Sequence, residues 1–143
     1  MSVAITEEHR TLASTAADFL QKQDARGAAR RLLEAPAEEL PPFWAELREL
    51  GWLGLHLPEE YGGSGYGIPE LVVVVEELGR AVAPGPFVPT VIASAVLAAA
   101  APEELRARLL PGLADGSVLG AVALHGNVEV RDGKATGPAG IVL

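Results

Sequence analysis

Proton-transfer chemistry needs titratable groups held close together, and this chain offers three adjacent acid pairs: Glu59-Glu60, Glu76-Glu77 and Glu103-Glu104. Neighbouring residues on a helix point in different directions. Each pair therefore reads as solvated surface acids or helix-cap acids, and none is assigned the part of a general base. Of the three histidines, His9 reads as serving the first helix, His56 as a surface residue and His125 as lying at a strand end. The chain has no cysteine, hence no thiolate nucleophile, no disulfide and no zinc–thiolate site.

The other chemically suggestive feature is the run from Leu50 to Gly67, LGWLGLHLPEEYGGSGYG. Its glycines, Gly62, Gly63, Gly65 and Gly67, can take positive φ without a Cβ clash, so the chain can bend sharply there. No G-x-G-x-x-G follows a strand and no lysine follows the glycines, so neither a dinucleotide fold nor a phosphate-binding loop is indicated. On spacing alone the run is a tight connection between two helices. Tyr61 and Tyr66 read as loop anchors, and Trp52 as core.

The net charge of −8 argues against a nucleic-acid-binding face, since the basic residues are scattered apart from Arg30-Arg31. The 143 residues fit one ordinary domain, and 49% hydrophobic content is enough for a core. The N-terminus has no basic region followed by an apolar stretch, so no secretory signal is visible and a cytoplasmic location is expected. From Ala81 to Ala101 no residue is charged, but prolines interrupt the stretch and its proline-free part falls short of the ~20 residues of a bilayer span. It reads as a buried core helix.

Helical elements must position these groups. Thr6 can cap a first helix carrying Leu12, Ala16, Phe19 and Leu20 on one face. A second, around Ala25 to Glu34, should turn Leu32 and Leu33 inward and Arg30 and Arg31 outward. A third begins at Pro41-Pro42, with Phe43, Leu47 and Leu50 as its apolar stripe and Gly51 as its left-handed stop. A short extended segment with Trp52, Leu53, Leu55 and Leu57 follows. Pro69 opens a fourth helix, with a strand as the minority alternative for its β-branched run; Pro89 opens a fifth and Pro102 a sixth, whose end Pro111 and Gly112 disturb. Beyond a boundary near Gly116 the pattern turns strand-like, with Val118 to Leu124 apolar and Asp132-Gly133 a hairpin signal. Ile141-Val142-Leu143 reads as one more apolar strand. The expected fold is mainly α: a helical domain over 1–116 with about six helices, then a short antiparallel β segment over 117–143. So small a sheet is not stable by itself, so the chain is expected to be the first part of a larger protein.

Two blocks carry a family resemblance. L-x-x-L-G-W-L-G-L-x-L-P-E-E-Y-G-G-S-G, starting at Leu47, resembles the N-terminal domain of acyl-CoA dehydrogenases, and Val75 to Thr90, VEELGRAVAPGPFVPT, is similar to the helix and turn that follow in that family. With Thr6 to Arg10 the match runs in order over nearly the whole chain. The P-G-P-F-V-P-T form looks closest to bacterial members, several of which handle bulky acyl groups.

The resemblance implies α,β-dehydrogenation of an acyl-CoA thioester with FAD. The family's glutamate base usually lies in the C-terminal domain, so no acid here inherits that role. The family's flavin-contacting strand and turn, A-Y-x-(I/V/L)-T-E-P, corresponds to Ala121-Val122-Ala123-Leu124-His125-Gly126. Leu124 and His125 are the positions it implies for the cofactor, but Val122 stands for the aromatic, His125 for the hydroxyl and Gly126 for the acid. For the acyl group it implies Phe87, Pro89, Thr90 and Ala93; an alanine-rich buried helix can equally mean close helix packing. Its partners would be an acyl-CoA substrate and the remainder of the dehydrogenase or a partner subunit, in a homo- or hetero-oligomer. A non-catalytic scaffold subunit and a small acyl-binding helical module are the alternatives.

Overall fold

The structure is a computed structural model that describes residues 5–123 and 125–140. Within them are six α-helices: α1 (Glu7–Lys22), α2 (Ala25–Leu33), α3 (Trp44–Glu49), α4 (Ile68–Arg80), α5 (Phe87–Ala100) and α6 (Glu103–Ala114). Two short 3₁₀ turns, Trp52–Gly54 and Glu59–Tyr61, lie between α3 and α4. A hairpin of β1 (Glu129–Arg131) and β2 (Lys134–Thr136) follows.

α1 starts where Thr6 caps it. The His9 amide donates to Thr6 Oγ1 at 3.2 Å, and the Thr6 amide donates back to His9 Nδ1 at 3.2 Å. This fixes the ring's hydrogen on Nε2, which donates to Glu70 Oε1 at 3.0 Å. The other oxygen of Glu70 accepts the Gly67 amide at 2.9 Å, capping α4. One histidine–glutamate pair therefore ties the first turns of the two helices that pack side by side.

The core lies where α1, α3 and α4 meet the first 3₁₀ turn. The Phe19 ring stands edge-on to Phe43 and Trp52, with centroids 6.1 and 5.5 Å away, the arrangement that ring quadrupoles favour. A second cluster joins Leu57 and Tyr61 to Leu110, Leu113 and Ala114 of α6.

Several expectations are corrected. Trp52, Leu53, Leu55 and Leu57 do not form an extended segment. All four are buried, and a strand with one solvated face cannot bury neighbouring residues on both sides; the chain coils instead, with Gly54 N to Gly51 O and Leu57 N to Gly54 O bonds at 3.1 Å. Leu33 is 87% exposed. At about 100° per residue, Leu32 falls near Ala25 and Ala28 on the inward face and Leu33 turns off it. Leu50 is 40% exposed because α3 ends at Glu49, while Trp44 takes a core place. α4 is the helix expected, and begins at Ile68, one residue before Pro69. α5 begins at Phe87, two residues before Pro89; a proline is accepted there because amides of the first turn lack intrahelical partners. α6 runs through Pro111 to Ala114. Val118 to Ala123 form no regular strand: Ala123 makes one isolated bridge, and Leu124 lies outside the described residues, as does the apolar end at 141–143. The Asp132-Gly133 turn is as expected, with φ of 49° and 74°, and pairs Glu129 with Thr136 and Arg131 with Lys134.

In the glycine loop only Gly62 and Gly65 have positive φ, 81° and 67°. Gly63 is required for another reason: a Cβ there would stand 2.0 Å from the Leu57 carbonyl oxygen. The loop folds back on the 54–57 turn, with Ser64 N to Gly54 O at 3.0 Å, Gly65 N to Leu57 O at 2.9 Å and Tyr66 N to Leu55 O at 2.9 Å.

Candidate acyl-binding wall

α5 is the element that could face an acyl group, because it carries no charge and its only polar side chains are Thr90 and Ser94. The turn before it is rich in proline and closely packed. Pro84 and Pro86 flank Gly85, whose φ is 114° and whose missing Cβ would meet Pro41 Cγ at 2.9 Å. Phe87, Thr90, Val91 and Ser94 form the buried face of the helix. Thr90 has no exposed surface, and its Oγ1 accepts the Gly120 amide at 3.1 Å. A Cβ on Gly120 would stand 2.5 Å from Ala93 Cβ and 3.2 Å from Thr90 Cα. The segment leading to the β hairpin thus lies directly on α5.

The four implied acyl contacts are therefore placed differently from one another. Phe87 belongs to the core, and Thr90 and Ala93 sit beneath Gly120. Pro89 opens into a cleft of about 730 Å³, shared with Leu32, Leu40, Pro84, Pro86 and Leu119, with Glu38 and Glu39 also on its wall. Leu40, Glu38 and Glu39 were not singled out from the sequence; they lie between two helices, in a stretch without helical periodicity.

His125 is exposed, beyond the Ala123 bridge. Its backbone carbonyl faces Gly140, where a Cβ would stand 2.3 Å from the oxygen, and the Asn127 amide donates to the Pro138 carbonyl at 2.9 Å. Toward a flavin, the described part of Ala121–Gly126 has backbone groups and the His125 ring to give, without the hydroxyl or acid that the family pattern carries there. Those residues do not by themselves fit as a flavin site.

His56 is not a surface residue as expected. It is half-buried, its Nε2 lies 3.1 Å from Ser94 Oγ, and burial holds its pKa below the ordinary value. Glu77 is buried rather than solvated and pairs with Arg80 on the same helix. Tyr61 donates to Glu103 Oε1 at 2.8 Å, and that bond chiefly raises its pKa. Tyr66 is 57% exposed and takes part in the loop through its backbone. Among the described residues no group of three metal-ligating side chains occurs, and no helix is long and apolar enough to cross a membrane.

Residues 6–117 match the family described as "Acyl-CoA dehydrogenase, N-terminal domain", and the chain belongs to the acyl-CoA dehydrogenase family. It is 38% identical over 127 residues to the acyl-CoA dehydrogenase IpdE2 of Mycobacterium tuberculosis, covering 87% of this chain and 39% of that protein. It is 41% identical over 91 residues to FadE12 of the same organism, covering 61% of this chain and 23% of that protein. Among solved structures it resembles a variant of the Tcur3481-Tcur3483 steroid ACAD, with a TM-score of 0.74 and 36% identity over 85% of this chain and 33% of that one. It also resembles the ChsE4-ChsE5 complex from Mycobacterium tuberculosis, with a TM-score of 0.77 and 26% identity over 89% of this chain and 35% of that one. The chain thus spans about two-fifths or less of the length of these relatives.

Proposed function

We propose that this chain forms the helical N-terminal domain, over 1–116, and the first β segment, over 117–143, of a flavin-dependent acyl-CoA dehydrogenase that oxidises an acyl-CoA thioester to the 2,3-enoyl-CoA. The reaction removes a proton from the α-carbon and a hydride from the β-carbon, leaving a double bond. A flavin held by polypeptide outside the described residues would supply the hydride acceptor. The base that takes the proton belongs to polypeptide outside this chain, since the acids here are caps, ion-pair partners or solvated. This chain's part is to wall the acyl group with apolar surface and keep water from it. The observation that carries the reading is the uncharged α5, whose Pro89 opens on a cleft walled by Leu32, Leu40 and Leu119 with Glu38 and Glu39 beside them, in a chain whose family match spans 6–117. A bulky acyl group is the substrate class favoured, supported by the 36% identity to a protein described as a steroid ACAD. Assembly with other subunits, in the cytoplasm, completes the reading; relatives solved as complexes support the assembly.

Mixing the chain with FAD and an acyl-CoA tests this. The chain alone should not bleach the flavin absorbance, whereas the chain together with the β and C-terminal domains should. Bleaching at an enzymic rate by the chain alone overturns the reading. The second reading is a non-catalytic scaffold subunit, favoured by Val122, His125 and Gly126 in place of the family's flavin-contacting residues. It requires an assembled complex whose activity is unchanged when Pro89 is enlarged.

A further inference from the structure

Ser94 is fully buried on α5, and its Oγ has two polar neighbours: the Val91 carbonyl oxygen at 3.1 Å and His56 Nε2 at 3.1 Å. A carbonyl oxygen can only accept, and a serine hydroxyl has one hydrogen to give. Both contacts are satisfied together only when Ser94 donates to Val91 and His56 donates from Nε2. That leaves the ring's hydrogen on Nε2 and a bare lone pair on Nδ1. Nδ1 is itself buried and has no hydrogen-bond partner among the described residues.

A proton added to Nδ1 would therefore place a positive charge in a site with no acceptor for it. α5 carries no charged residue. On the other elements around this turn the charged groups are Glu46, Arg48 and Glu49 of α3, Glu59 and Glu60 of the second 3₁₀ turn, and Glu103, Glu104, Arg106 and Arg108 of α6, while Glu8 of α1 and Glu70 of α4, the latter held by His9, lie on the side of Leu55. Glu103 is engaged by Tyr61 and Arg106, and Arg48 by Asp115. Among the described residues no carboxylate stands within ion-pair distance of His56, and the only cause of its lowered pKa is desolvation.

We propose that His56 is a positioning residue and a proton-sensitive latch: as the neutral Nε2–H imidazole it holds the Leu55–Leu57 turn against α5, and on protonation it lets go. The turn matters because the glycine loop is hung on it through Leu55 and Leu57. Ser94 matters because it lies one helical turn beyond Thr90, the residue that holds the Gly120 segment. Protonation leaves the Nε2 hydrogen in place, so the release comes from the charge: with no acceptor at buried Nδ1, the half-buried ring gains solvation only by turning out from Ser94 to water.

The sign follows from linkage. A histidine with a lowered folded pKa binds its proton more readily in the unfolded chain, so its contribution is intact above about pH 6.5 and is lost as the pH falls through the folded value. Two measurements on the chain test the latch. A long-range proton–nitrogen NMR spectrum at pH 8 should show the His56 hydrogen on Nε2, and titration should place its pKa below 6.5. Melting curves from pH 8 to 5 should fall more steeply for wild type than for His56→Gln, whose amide N–H can still reach Ser94 but does not titrate. His56→Phe should melt lower than His56→Gln at pH 8. A hydrogen on Nδ1 at pH 8, a titration at or above the ordinary value, or parallel melting curves for wild type and His56→Gln would each overturn the proposal. If the glutamine variant does not fold, the spectrum and titration of the wild-type chain decide alone.

Discussion

Gly63→Ala separates two reasons for keeping a glycine. Gly63 does not have positive φ, so the substitution carries no left-handed strain. Its added Cβ would instead stand 2.0 Å from Leu57 O, 2.4 Å from Leu57 C and 2.7 Å from Gly54 O. These are backbone atoms, and they cannot swing aside as a side chain can. Relief requires the loop to move by more than an ångström, and the bonds from Ser64, Gly65 and Tyr66 to Gly54, Leu57 and Leu55 stretch with it. At ~1 kcal/mol net for each hydrogen bond, the loss is about 2–4 kcal/mol. For a domain of this size that is a fall of roughly 6–15 °C in melting temperature. Gly62→Ala is the control: it has φ of 81° but nothing within 4 Å of its Cβ, so it pays only for conformation, about 1 kcal/mol. Circular dichroism melts of both variants decide the matter. If Gly63→Ala melts with wild type, or Gly62→Ala is the worse of the two, crowding is not what keeps Gly63.

Glu70→Ala removes the acceptor for both His9 and the Gly67 amide, and should cost about 1–2 kcal/mol in denaturant melts at pH 7. The His9 bond is the main cause that holds the Glu70 carboxyl below its ordinary pKa, so this contribution is present above about pH 4.5 and is lost as the pH falls further; the gap between wild type and variant should narrow there. Val82→Gly should stabilise by about 1 kcal/mol, because Val82 takes φ of 53° at the end of α4, where Ala83 N bonds Leu78 O and Val82 N bonds Gly79 O, the closure that usually places glycine at this position. Ala93→Leu should lower stability by about 1–3 kcal/mol through collision with Gly120, and in an assembled dehydrogenase should depress turnover of short and long acyl-CoA substrates alike. Loss of the long substrates alone, with an unchanged melt, would return Ala93 to the acyl pocket.

The helices were legible because their signals are local. Thr6, Gly51 and Pro69 mark starts and stops through their own backbone chemistry, and the Asp132-Gly133 turn follows from the two residues that make it. What was not legible depended on partners distant in sequence. Leu32 and Leu33 look alike until the turn of α2 decides which faces the core. The 52–57 segment looks extended only if alternate residues are assumed to be solvated, and here almost none is. His56 looked like a surface residue because nothing near it in sequence reveals Ser94, 38 positions further on. The cleft at Pro89 was half legible: the proline is in the motif, but the wall from Leu40 and Leu119 comes from stretches with no periodicity.

α5 raises the question of how an alanine-rich helix is held in one orientation. Phe87 and Val91 anchor the start of FVPTVIASAVLAAA in the core, but its alanines present a smooth face, so apolar contact alone distinguishes little between neighbouring rotations of the rest of the helix. Its two hydroxyls remove that freedom. Thr90 takes the Gly120 amide on one side, and Ser94, one turn later, meets His56 from another part of the chain. A rotation that kept the apolar packing would break both bonds and strip the Gly120 amide and His56 Nε2 of their partners, while Ser94 kept only its bond to the Val91 carbonyl. The polar pair therefore sets the helix register, and the apolar residues are free to be small.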